Sequence, residues 1–411
     1  MLKAVILIGG PQKGTRFRPL SLDTPKPLFP IAGLPLIQHH IAACANLEEC
    51  KEILIIGSYS ASTMGQFITD MQKEYTMIIR YLQEFTPLGT GGGLYHFRDQ
   101  VRAGNPAAFF LLNGDVCADF PLRELWKFHE ERPNALVTMM GTEATRQQAI
   151  FYGCMVREAS TKAVTHYVEK PNSYVSTLIN CGVYVCSLQV FSIMADAFQR
   201  KQDEFYSGNG QVSPGYISWE QDVLSPLAGS NKLFAMQSTN WWSQVKTAGS
   251  AIYANRHYLE LHRNKYSKSP CTIIPDVYIH PTAAVDSTAV IGPNVSIGAG
   301  VTVGGGVRIK ESIVLNNATL HDHSLVMYAV VGQEATVGEW SRIEGTPSDP
   351  DPNKPFAKMD NQPLFNSDGR LNPSITILGA GVVVPGETIL LNSIVLPHKH
   401  LNRNYKHEII L

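Results

Sequence analysis

The strongest constraint on the fold is a six-residue spacing of branched aliphatic residues in the last third of the chain. The first of two interleaved registers comprises Ile279, Val285, Ile291, Ile297, Val303, Ile309 and Leu315. The second register comprises Val277, Ala283, Ala289, Val295, Val301, Val307 and Ile313. Because a six-residue period is typical of stacked coils that bury one continuous core, the spacing predicts a parallel β-helix solenoid.

This spacing is interrupted twice. It slips near residues 320–326, and the positions at which it resumes are Val331, Val337 and Ile343, and later Ile377, Val383, Ile389, Val395 and Leu401. Between these last two runs lies Thr346–Pro373, which is rich in proline and aspartate and has no helical or strand period. A loop of this length inside a solenoid is either a disordered insertion or a functional protrusion, and the pattern alone leaves both open.

The first 250 residues have a different pattern, in which short apolar runs alternate with segments of helical periodicity. The predicted strands are Ile53–Ile56, Ile78–Leu82, Phe109–Leu112 and Leu136–Met140. The predicted helices are Leu36–Leu47, Met64–Tyr75, Leu94–Val101 and Leu122–Glu131. This alternation predicts a largely parallel, doubly wound α/β sheet with its ligands beyond the carboxyl ends of the strands. The predicted domains are 1–265 and 275–411, and the second carries the inserted loop 346–373.

Composition narrows the expected partners and compartment. The chain of 411 residues has a formal net charge of −1 and no long basic run, so nucleic acid is not an expected partner. No apolar stretch approaches the length needed to span a membrane, so no membrane contact is expected. The seven cysteines lack a C-x-x-C spacing and are interpreted as small core residues in a reducing compartment, which predicts a cytoplasmic protein.

A glycine-rich loop follows the first predicted strand, Ala4–Ile8. Gly9, Gly10 and Gly14 allow backbone N–H groups to approach a phosphate chain closely. The cations that surround the loop in the sequence are Lys13, Arg16, Arg18 and Lys26. Taken alone, the loop has an alternative interpretation as an ordinary turn between a strand and a helix.

Three later groups of residues are candidates for ligand contacts. Leu88–Gly93 opens a predicted helix with N–H groups suited to a base or ribose, and Gln83 and Glu84 just before it are candidate base-edge partners. Asp115 follows a predicted strand, where a carboxylate suits Mg²⁺. The third group offers directional hydrogen bonds to a hexose and comprises Gly153, Glu169, Lys170, Asn180 and Gly182. Singly, each of these residues is equally a turn residue.

The string from Gly9 to Leu20, followed by Pro25-Lys26-Pro27, resembles the signature of the sugar-phosphate nucleotidyltransferase family. The resemblance covers essentially the whole chain and implies a Rossmann-like, doubly wound α/β nucleotidyltransferase domain followed by a left-handed parallel β-helix of hexapeptide repeats. It implies nucleotide contacts at Gly9, Gly10, Gly14, Thr15, Arg16, Lys26, Gln83, Glu84, Gly89, Thr90 and Gly92. It implies a metal ligand at Asp115 and a sugar 1-phosphate half-site at Gly153, Glu169, Lys170, Asn180 and Gly182.

The chain departs from that family pattern at two places. Its glycine loop is two residues longer, because Pro11-Gln12-Lys13 stands where the family has one residue. Gln244 stands where the family has the second metal-binding aspartate. Removing one electrostatic stabiliser commonly costs about 10²–10³ in rate, and displacing a positioning element by ~1 Å costs roughly 10²-fold more. No catalytic residue is therefore assigned with certainty, although Arg16 and Lys26 occupy the family's catalytic positions.

Both departures are themselves typical of the alpha-type, regulatory group of GDP-mannose pyrophosphorylases. Glu344–Pro350 and the ending Ile394–Lys399 add to that resemblance. It implies a regulatory chain that binds GDP-mannose, with Mg²⁺ held weakly at best, and that mediates feedback inhibition of a catalytic beta subunit in GDP-mannose biosynthesis. It also implies a hetero-oligomer, in which the aspartates of Thr346–Pro373 meet a basic site on the partner.

Three other functions remain open at this point. The first is an active mannose-1-phosphate guanylyltransferase, which would convert GTP and mannose 1-phosphate to GDP-mannose and pyrophosphate. The second is a structural or exchange-factor subunit of the kind found in translation initiation, although the Gly-Thr-Arg, Pro-Lys-Pro and Glu-Lys-Pro motifs favour a working ligand pocket. The third is acyl transfer by the solenoid, for which no feature singles out a base among His280, His321 and His323.

Overall fold

The computed structural model describes residues 1–207, 215–263, 271–360 and 363–411. The chain forms two compact units, each of which is made of three separate stretches of the sequence. The first unit comprises Met1–Lys13, Ile37–Trp242 and Asp351–Lys358, and the second comprises Gly14–Leu36, Ser243–Pro350 and Met359–Leu411. The predicted domain end at residue 265 lies outside the described residues, and the domain limits 1–265 and 275–411 stay a prediction. Among the helices that the structure describes, none has the length and apolar character that a membrane span requires.

A nine-stranded mixed sheet forms the centre of the first unit. Its strands, numbered here in chain order, are β1 (Leu2–Gly9), β2 (Cys50–Gly57), β3 (Ile78–Gln83), β4 (Ala108–Asn113), β5 (Val137–Glu143), β6 (Gly153–Arg157), β7 (Val164–Glu169), β8 (Leu178–Cys186) and β9 (Leu233–Gln237). Every strand predicted from the apolar runs lies in this sheet. Cores on its faces bury side chains such as Val5, Leu111 and Tyr184.

The sheet order separates a parallel half from an antiparallel half. The order β4-β1-β2-β3 is parallel throughout. Strand β8 is antiparallel both to β4 and to β5, and β5 pairs in parallel with β9. Strands β6 and β7 form an antiparallel edge. Because β1 to β4 are parallel, their carboxyl ends lie at one edge of the sheet, which is where the candidate ligand residues follow them.

Three of the four predicted helices are present with different ends, whereas the predicted helix Leu94–Val101 is wrong, because the chain there forms two helices that meet at Phe97. The helices of this part of the chain are Leu36–Ala45, Ala61–Tyr75, Gly89–His96, Arg98–Arg102, Leu122–Glu130, Arg146–Ala149, Val190–Tyr206 and Ser225–Leu227, with a π-helical segment at Trp219–Leu224 and a short strand at Val116–Ala118. The helix Ala61–Tyr75 begins three residues before its predicted start at Met64, because the Ser60 side chain caps it by accepting from the Thr63 N–H.

An ion cluster with a buried lysine lies near the amino ends of β1 and β2. Lys3 is only 1% exposed, and its ammonium lies 2.6 Å from a carboxylate oxygen of Glu52 and donates to the Gln100 carbonyl at 2.9 Å. Arg80 donates to the same carboxylate at 2.8 Å. Burial raises the pKa of Glu52, but the hydrogen bonds and charges of Lys3 and Arg80 outweigh it, so that the pKa lies below its ordinary value. The carboxylate therefore stays ionised and stabilises the buried lysine.

The second unit is built on a parallel β-helix with three sheets. The first sheet contains Thr272–Ile273, Val290–Ile291, Arg308–Lys310, Leu325–Met327, Arg342–Glu344, Ile389–Leu391 and Tyr405–Lys406. The second contains Val277–Ile279, Val295–Ile297, Ser312–Val314, Ala329–Val331, Thr376–Leu378, Ile394–Val395 and Ile409–Ile410. The third contains Ala284–Val285, Thr302–Val303, Thr319–Leu320, Thr336–Val337 and Val383–Val384. Together with the mixed sheet, this confirms the predicted fold class and is consistent with a left-handed β-helix.

The observed core register departs by one residue from the six-residue spacing of the sequence in part of the solenoid. Val314, rather than Leu315, pairs with Ile297 and lies in the core. The corner at Glu311 has one residue fewer than the corner before it, so the spacing slips there and not near residues 320–326 as predicted. The same shortening recurs at later coils, and the inward residues are Leu378, Val384 and Leu390 in place of Ile377, Val383 and Ile389. A one-residue shift moves a side chain to the other face of a strand.

Gly14–Leu36 belongs to the second unit because it packs on one helix and on the solenoid. It contains the short helices Thr15–Phe17, Leu20–Asp23 and Lys26–Leu28 and the hairpin strands Pro30–Ile31 and Leu34–Pro35. Asn255, in the helix Ala248–Leu261, accepts from the Ala32 N–H at 2.8 Å and from the Ser296 hydroxyl. Gly33 has a φ of +82°, and a Cβ there would lie 2.3 Å from the Tyr278 ring. Glycine is therefore required at this contact.

The proline-rich insertion leaves the solenoid after Arg342–Glu344 and returns before Thr376–Leu378. Its ends are joined, since the Thr346 N–H donates to the Ser374 carbonyl at 3.1 Å. Within it, Asp351–Lys358 packs in the first unit, while the described residues on either side of that segment belong to the second. The seven cysteines are all free and buried, as predicted for small core residues.

Candidate functional site

Four loops meet at the carboxyl edge of the parallel strands in the first unit. The Ser58 N–H, after β2, donates to the Gly9 carbonyl at 2.8 Å, and the Gly114 N–H, after β4, donates to the Leu7 carbonyl at 2.8 Å. The Glu84 N–H, after β3, donates to the Gly57 carbonyl at 2.7 Å. These bonds bring together the start of the glycine loop, the candidate base-edge residues and the Asn113–Asp115 turn, as the parallel order predicts.

The glycine loop is divided between the two units. In the first unit a Cβ on Gly10 would lie 1.8 Å from the Ser58 hydroxyl oxygen, so a larger residue would require the Ser58 side chain to rotate. The Lys13 N–H closes a turn onto the Gly10 carbonyl at 3.0 Å. In the second unit Gly14 has a φ of +73° and lies beside the Lys26 side chain. Thr15 and Arg16 follow it and are exposed. Exposed N–H groups and cations of this kind are suited to a phosphate chain.

The glycines of the Gly89–His96 helix have a packing reason that the sequence did not reveal. A Cβ on Gly89 would lie 2.4 Å from the Ile217 carbonyl oxygen, and one on Gly92 would lie 2.6 Å from the Gly215 carbonyl oxygen. The Thr90 hydroxyl donates to Glu220 at 2.7 Å and accepts from the Trp219 N–H at 2.9 Å. The motif is therefore covered by a neighbouring segment of its own unit, and its contact with a nucleotide stays a prediction.

Gln83 is the last residue of β3, and Glu84 lies between β3 and that helix. The Gln83 side-chain oxygen accepts from the Ala61 N–H at 3.1 Å and so satisfies the first N–H of the helix Ala61–Tyr75. Glu84 is half-buried, and a Cβ on Gly93 would touch its carboxylate. Burial raises the pKa of Glu84, and the Lys13 charge opposes this shift. A carboxyl group with a raised pKa can change its protonation with the ligand that it meets.

The sugar half-site predicted from the sequence is a connected hydrogen-bond network. Asn180, in β8, donates to the Tyr184 hydroxyl at 2.7 Å and to the Tyr167 hydroxyl at 3.1 Å. The Asn180 side-chain oxygen accepts from the Gly182 N–H at 2.9 Å. The Tyr167 hydroxyl donates to Glu169 at 2.9 Å. These four hydrogen bonds hold the five groups in one geometry before any ligand arrives.

The remaining members of the predicted half-site pack on the same network. Lys170 forms an ion pair with Glu169 at 2.8 Å, and its backbone N–H donates to the Tyr152 carbonyl at 3.1 Å. A Cβ on Gly153 would lie 2.2 Å from the Tyr167 hydroxyl oxygen, which explains the glycine. All five predicted residues are therefore brought together at the ends of β6, β7 and β8.

Tyr167 and Tyr184 bond to predicted half-site residues and were not themselves predicted from the sequence. In the sequence each is indistinguishable from an ordinary core aromatic residue on a strand, and in the structure both are buried. Burial raises the pKa of both phenols well above the ordinary value, and so does the neighbouring charge of Glu169. Both hydroxyls therefore stay protonated and available as donors at neutral pH. The only available signal was their period-2 placement beside Glu169 and Asn180.

Gly182 connects the half-site with the turn that carries the candidate metal ligand. Its φ is +72°, and a Cβ there would lie 2.7 Å from the Asn113 side-chain nitrogen. The Asn113 carbonyl in turn lies 3.1 Å from Nε2 of His40, a buried histidine. Glycine is needed at this position both for the left-handed backbone and for the close approach of Asn113.

The metal position predicted from the sequence retains one carboxylate, that of Asp115. Asp115 is half-buried at the end of β4, in the place predicted for a magnesium ligand. Gln244 ends the short strand Trp242–Gln244 and offers only a neutral amide where a second carboxylate was expected. Across the ranges that the structure describes, no group of three or more His, Cys, Asp and Glu side chains is placed to hold an ion. Any Mg²⁺ would therefore depend on oxygens that a ligand supplies.

Comparison with family models divides the chain into two matched regions. Residues 3–259 match the model described as nucleotidyl transferase. Residues 273–410 match the model described as the GMPPB C-terminal domain. Among solved structures, a putative glucose-1-phosphate thymidylyltransferase from Bacillus anthracis, in complex with sucrose, aligns with a TM-score of 0.50 at 19% identity, over 66% of this chain and 98% of that chain. At this identity the likeness concerns the fold alone.

Curated relatives match the chain over its full length. A Drosophila melanogaster protein named mannose-1-phosphate guanylyltransferase regulatory subunit alpha is 64% identical, with all of both chains covered. The regulatory subunit alpha-B of Danio rerio is 54% identical and the regulatory subunit alpha of Homo sapiens is 53% identical, again with complete coverage of both chains. The chain therefore belongs to the nucleotidyl transferase family, among the relatives named mannose-1-phosphate guanylyltransferase regulatory subunit alpha.

Proposed function

We propose that this chain is the regulatory subunit of a mannose-1-phosphate guanylyltransferase and that it binds GDP-mannose in its first unit. The observation that carries the proposal is the connected network of Glu169, Asn180 and the two tyrosines, in a chain whose second metal carboxylate is replaced by Gln244. Binding a sugar requires the network, whereas phosphoryl-type transfer requires charge neutralisation around the reacting phosphates. Such a chain retains a ligand and turns it over slowly.

The proposal extends to feedback inhibition of a catalytic partner in GDP-mannose biosynthesis. The names of the relatives refer to a regulatory subunit, which supports a hetero-oligomer with a catalytic subunit. We expect Mg²⁺ to bind weakly, through Asp115 and the ligand's phosphates. Coupling between ligand in this chain and activity in the partner needs only about 1–3 kcal/mol. The proline- and aspartate-rich insertion 346–373 is the candidate element for that coupling, and the protein is expected to act in the cytoplasm.

The regulatory function is tested by reconstituting the chain with a catalytic beta subunit and measuring inhibition by GDP-mannose. With wild-type chain, GDP-mannose should inhibit pyrophosphate release by the complex. With Glu169→Gln the inhibition should require roughly tenfold more GDP-mannose, because a charged hydrogen-bond acceptor in the half-site is lost. Asn172→Ala, at an exposed neighbouring position, is the matched control.

A second arm replaces residues 349–372 by a short Gly-Ser linker. Assembly should be nearly unchanged, since loop-closure cost varies slowly with length, and inhibition should weaken. The melting temperature should fall somewhat, because the replaced residues include Asp349, which pairs with Arg256, and Lys358, which Gln148 holds by two hydrogen bonds. Equal inhibition with all of these variants would contradict the regulatory proposal. Pyrophosphate release by the isolated chain at a typical enzyme turnover of about 10 s⁻¹ would instead identify an active guanylyltransferase.

A further inference from the structure

The π-helical segment of the first unit connects a predicted nucleotide-contact residue with the hydrogen-bond network of the sugar half-site. The hydroxyl of Thr90, the predicted nucleotide contact, accepts from the Trp219 N–H at 2.9 Å and donates to the Glu220 carboxylate at 2.7 Å. The Trp219 ring meets the Tyr184 ring edge-on at 5.7 Å, and the two rings lie in one buried core. Because Asn180 donates to the Tyr184 hydroxyl at 2.7 Å, this segment lies on the face of the mixed sheet that carries the half-site network.

The Glu220 carboxylate is held at one of its oxygens and open at the other. Its Oε2 accepts from the Thr90 hydroxyl at 2.7 Å and from the Ser218 hydroxyl at 3.3 Å. In the part of the chain that the structure describes, no hydrogen bond reaches its Oε1 and no cation pairs with it, whereas Asp222 pairs with Lys201 at 3.3 Å. The side chain is half-buried. An oriented carboxylate with an open oxygen is a strong acceptor for a hydroxyl group.

Glu220 lies close enough to the two tyrosines of the half-site to influence their ionisation. Burial raises the pKa of Tyr184 well above its ordinary value, and the charge of Glu220 raises it further. Burial and the neighbouring Tyr184 raise the pKa of Tyr167, and the charges of Glu169 and Glu220 both add to this shift. The two hydroxyls therefore have carboxylates from two different segments of the chain near them. A hexose carries several hydroxyl donors, and such an arrangement offers acceptors to more than one of them.

We propose that Glu220 is a further sugar-binding residue, whose carboxylate accepts a hydrogen bond from a hydroxyl of the hexose that Glu169 and Asn180 hold. The inference rests on the proposed function and adds a specificity-determining contact to the same site. A carboxylate repels phosphate, so the contact that it offers is to the neutral hexose. The bond from Thr90 orients the carboxylate before the ligand binds. A site of this kind rejects a ligand that lacks the hydroxyl, because its acceptor is then left unpaired.

The first test titrates the full chain calorimetrically with GDP-mannose and with GDP, which lacks the hexose. Glu220→Gln keeps an oxygen for the hydroxyls of Thr90 and Ser218, so its melting temperature should stay close to that of wild type. It should bind GDP-mannose about tenfold more weakly, because a charged acceptor becomes neutral, and should bind GDP within about twofold of wild type. Glu130→Gln, the same change at an exposed position, is the matched control and should alter neither affinity.

Two results of this titration would overturn the inference. One is equal affinity of Glu220→Gln and wild type for GDP-mannose. The other is an equal loss of affinity for GDP-mannose and GDP, because that pattern shows that Glu220 acts only by positioning Thr90. Both results leave the proposed function standing, since the wild-type chain still binds GDP-mannose. A folded wild-type chain that does not bind GDP-mannose would overturn the proposed function together with the inference.

The second test identifies the hydroxyl that Glu220 accepts from. Analogues of GDP-mannose that each lack one hexose hydroxyl are titrated with wild type and with Glu220→Gln. Wild type should bind one of them roughly tenfold more weakly than it binds GDP-mannose, and Glu220→Gln should bind that analogue as tightly as wild type does, because the bond is absent from both complexes. If Glu220→Gln weakens every analogue by the same factor, no hexose hydroxyl bonds to Glu220 and the inference is wrong.

Discussion

Asn180→Ala is the substitution whose consequence can be worked out most fully from the network in the first unit. It removes the two hydrogen bonds to tyrosine hydroxyls and the one from the Gly182 N–H. The Tyr167 hydroxyl keeps Glu169 as an acceptor, so the groups left without a partner are the Tyr184 hydroxyl and the Gly182 N–H. Each buried orphan costs about 1–3 kcal/mol, and we expect a total loss of about 2–4 kcal/mol after local relaxation.

Urea unfolding followed by tryptophan fluorescence measures this loss as a lower midpoint at an unchanged m-value. Asn172→Ala, an exposed control, should stay within about 0.5 kcal/mol of wild type. Because both changes remove the same hydrogen bond, Asn180→Ala and Tyr184→Phe should be less than additive by about 0.5 kcal/mol or more. A loss below about 1 kcal/mol with full additivity would refute the idea that the network is connected.

Three further predictions concern folding. Gly182→Ala should lower the melting temperature, because its φ of +72° and the contact with the neighbouring asparagine leave no room for a Cβ, whereas Gly65→Ala, in an open helical position, should raise it slightly. Glu52→Gln should cost about 3–5 kcal/mol at pH 7 by isolating the buried lysine of β1. Since the folded pKa of Glu52 is lowered, that difference should be complete above its ordinary value of 4.5 and disappear as the pH falls through the lower folded value. In the solenoid, Leu390→Ala should lower the free energy of unfolding by about 2–5 kcal/mol, measured with denaturant, and Ile389→Ala should lower it much less, because Leu390 is buried and Ile389 is not. The opposite order would show that Ile389, as the six-residue spacing of the sequence suggests, faces the core.

The periodic features of the fold were predictable because they are local. The apolar runs that form β1 to β5 and the stacked strands of the solenoid can each be identified from a few neighbouring residues of the sequence. The failure at Leu315 has a different origin. The corner at Glu311 is one residue shorter than the preceding corner. Because Ile313, Val314 and Leu315 are all branched aliphatic residues, the sequence does not show which of them faces the core. With the shorter corner, Val314 faces the core in place of Leu315.

The candidate site was likewise predictable only where its residues stand in local sequence motifs. Glu169, Asn180 and Gly182 were identified because they stand in motifs, and the structure brings them together. Tyr167 was missed because an aromatic residue on a strand is indistinguishable from core without its partner.

Calorimetric titration of the purified chain with GDP-mannose tests the central claim most directly, because the claim is that the connected half-site binds a nucleotide sugar. We predict saturable binding at one site per chain, weakened roughly tenfold by Glu169→Gln and unchanged by Asn172→Ala. Absence of binding by the folded wild-type chain, or equal affinity in Glu169→Gln, would contradict the account.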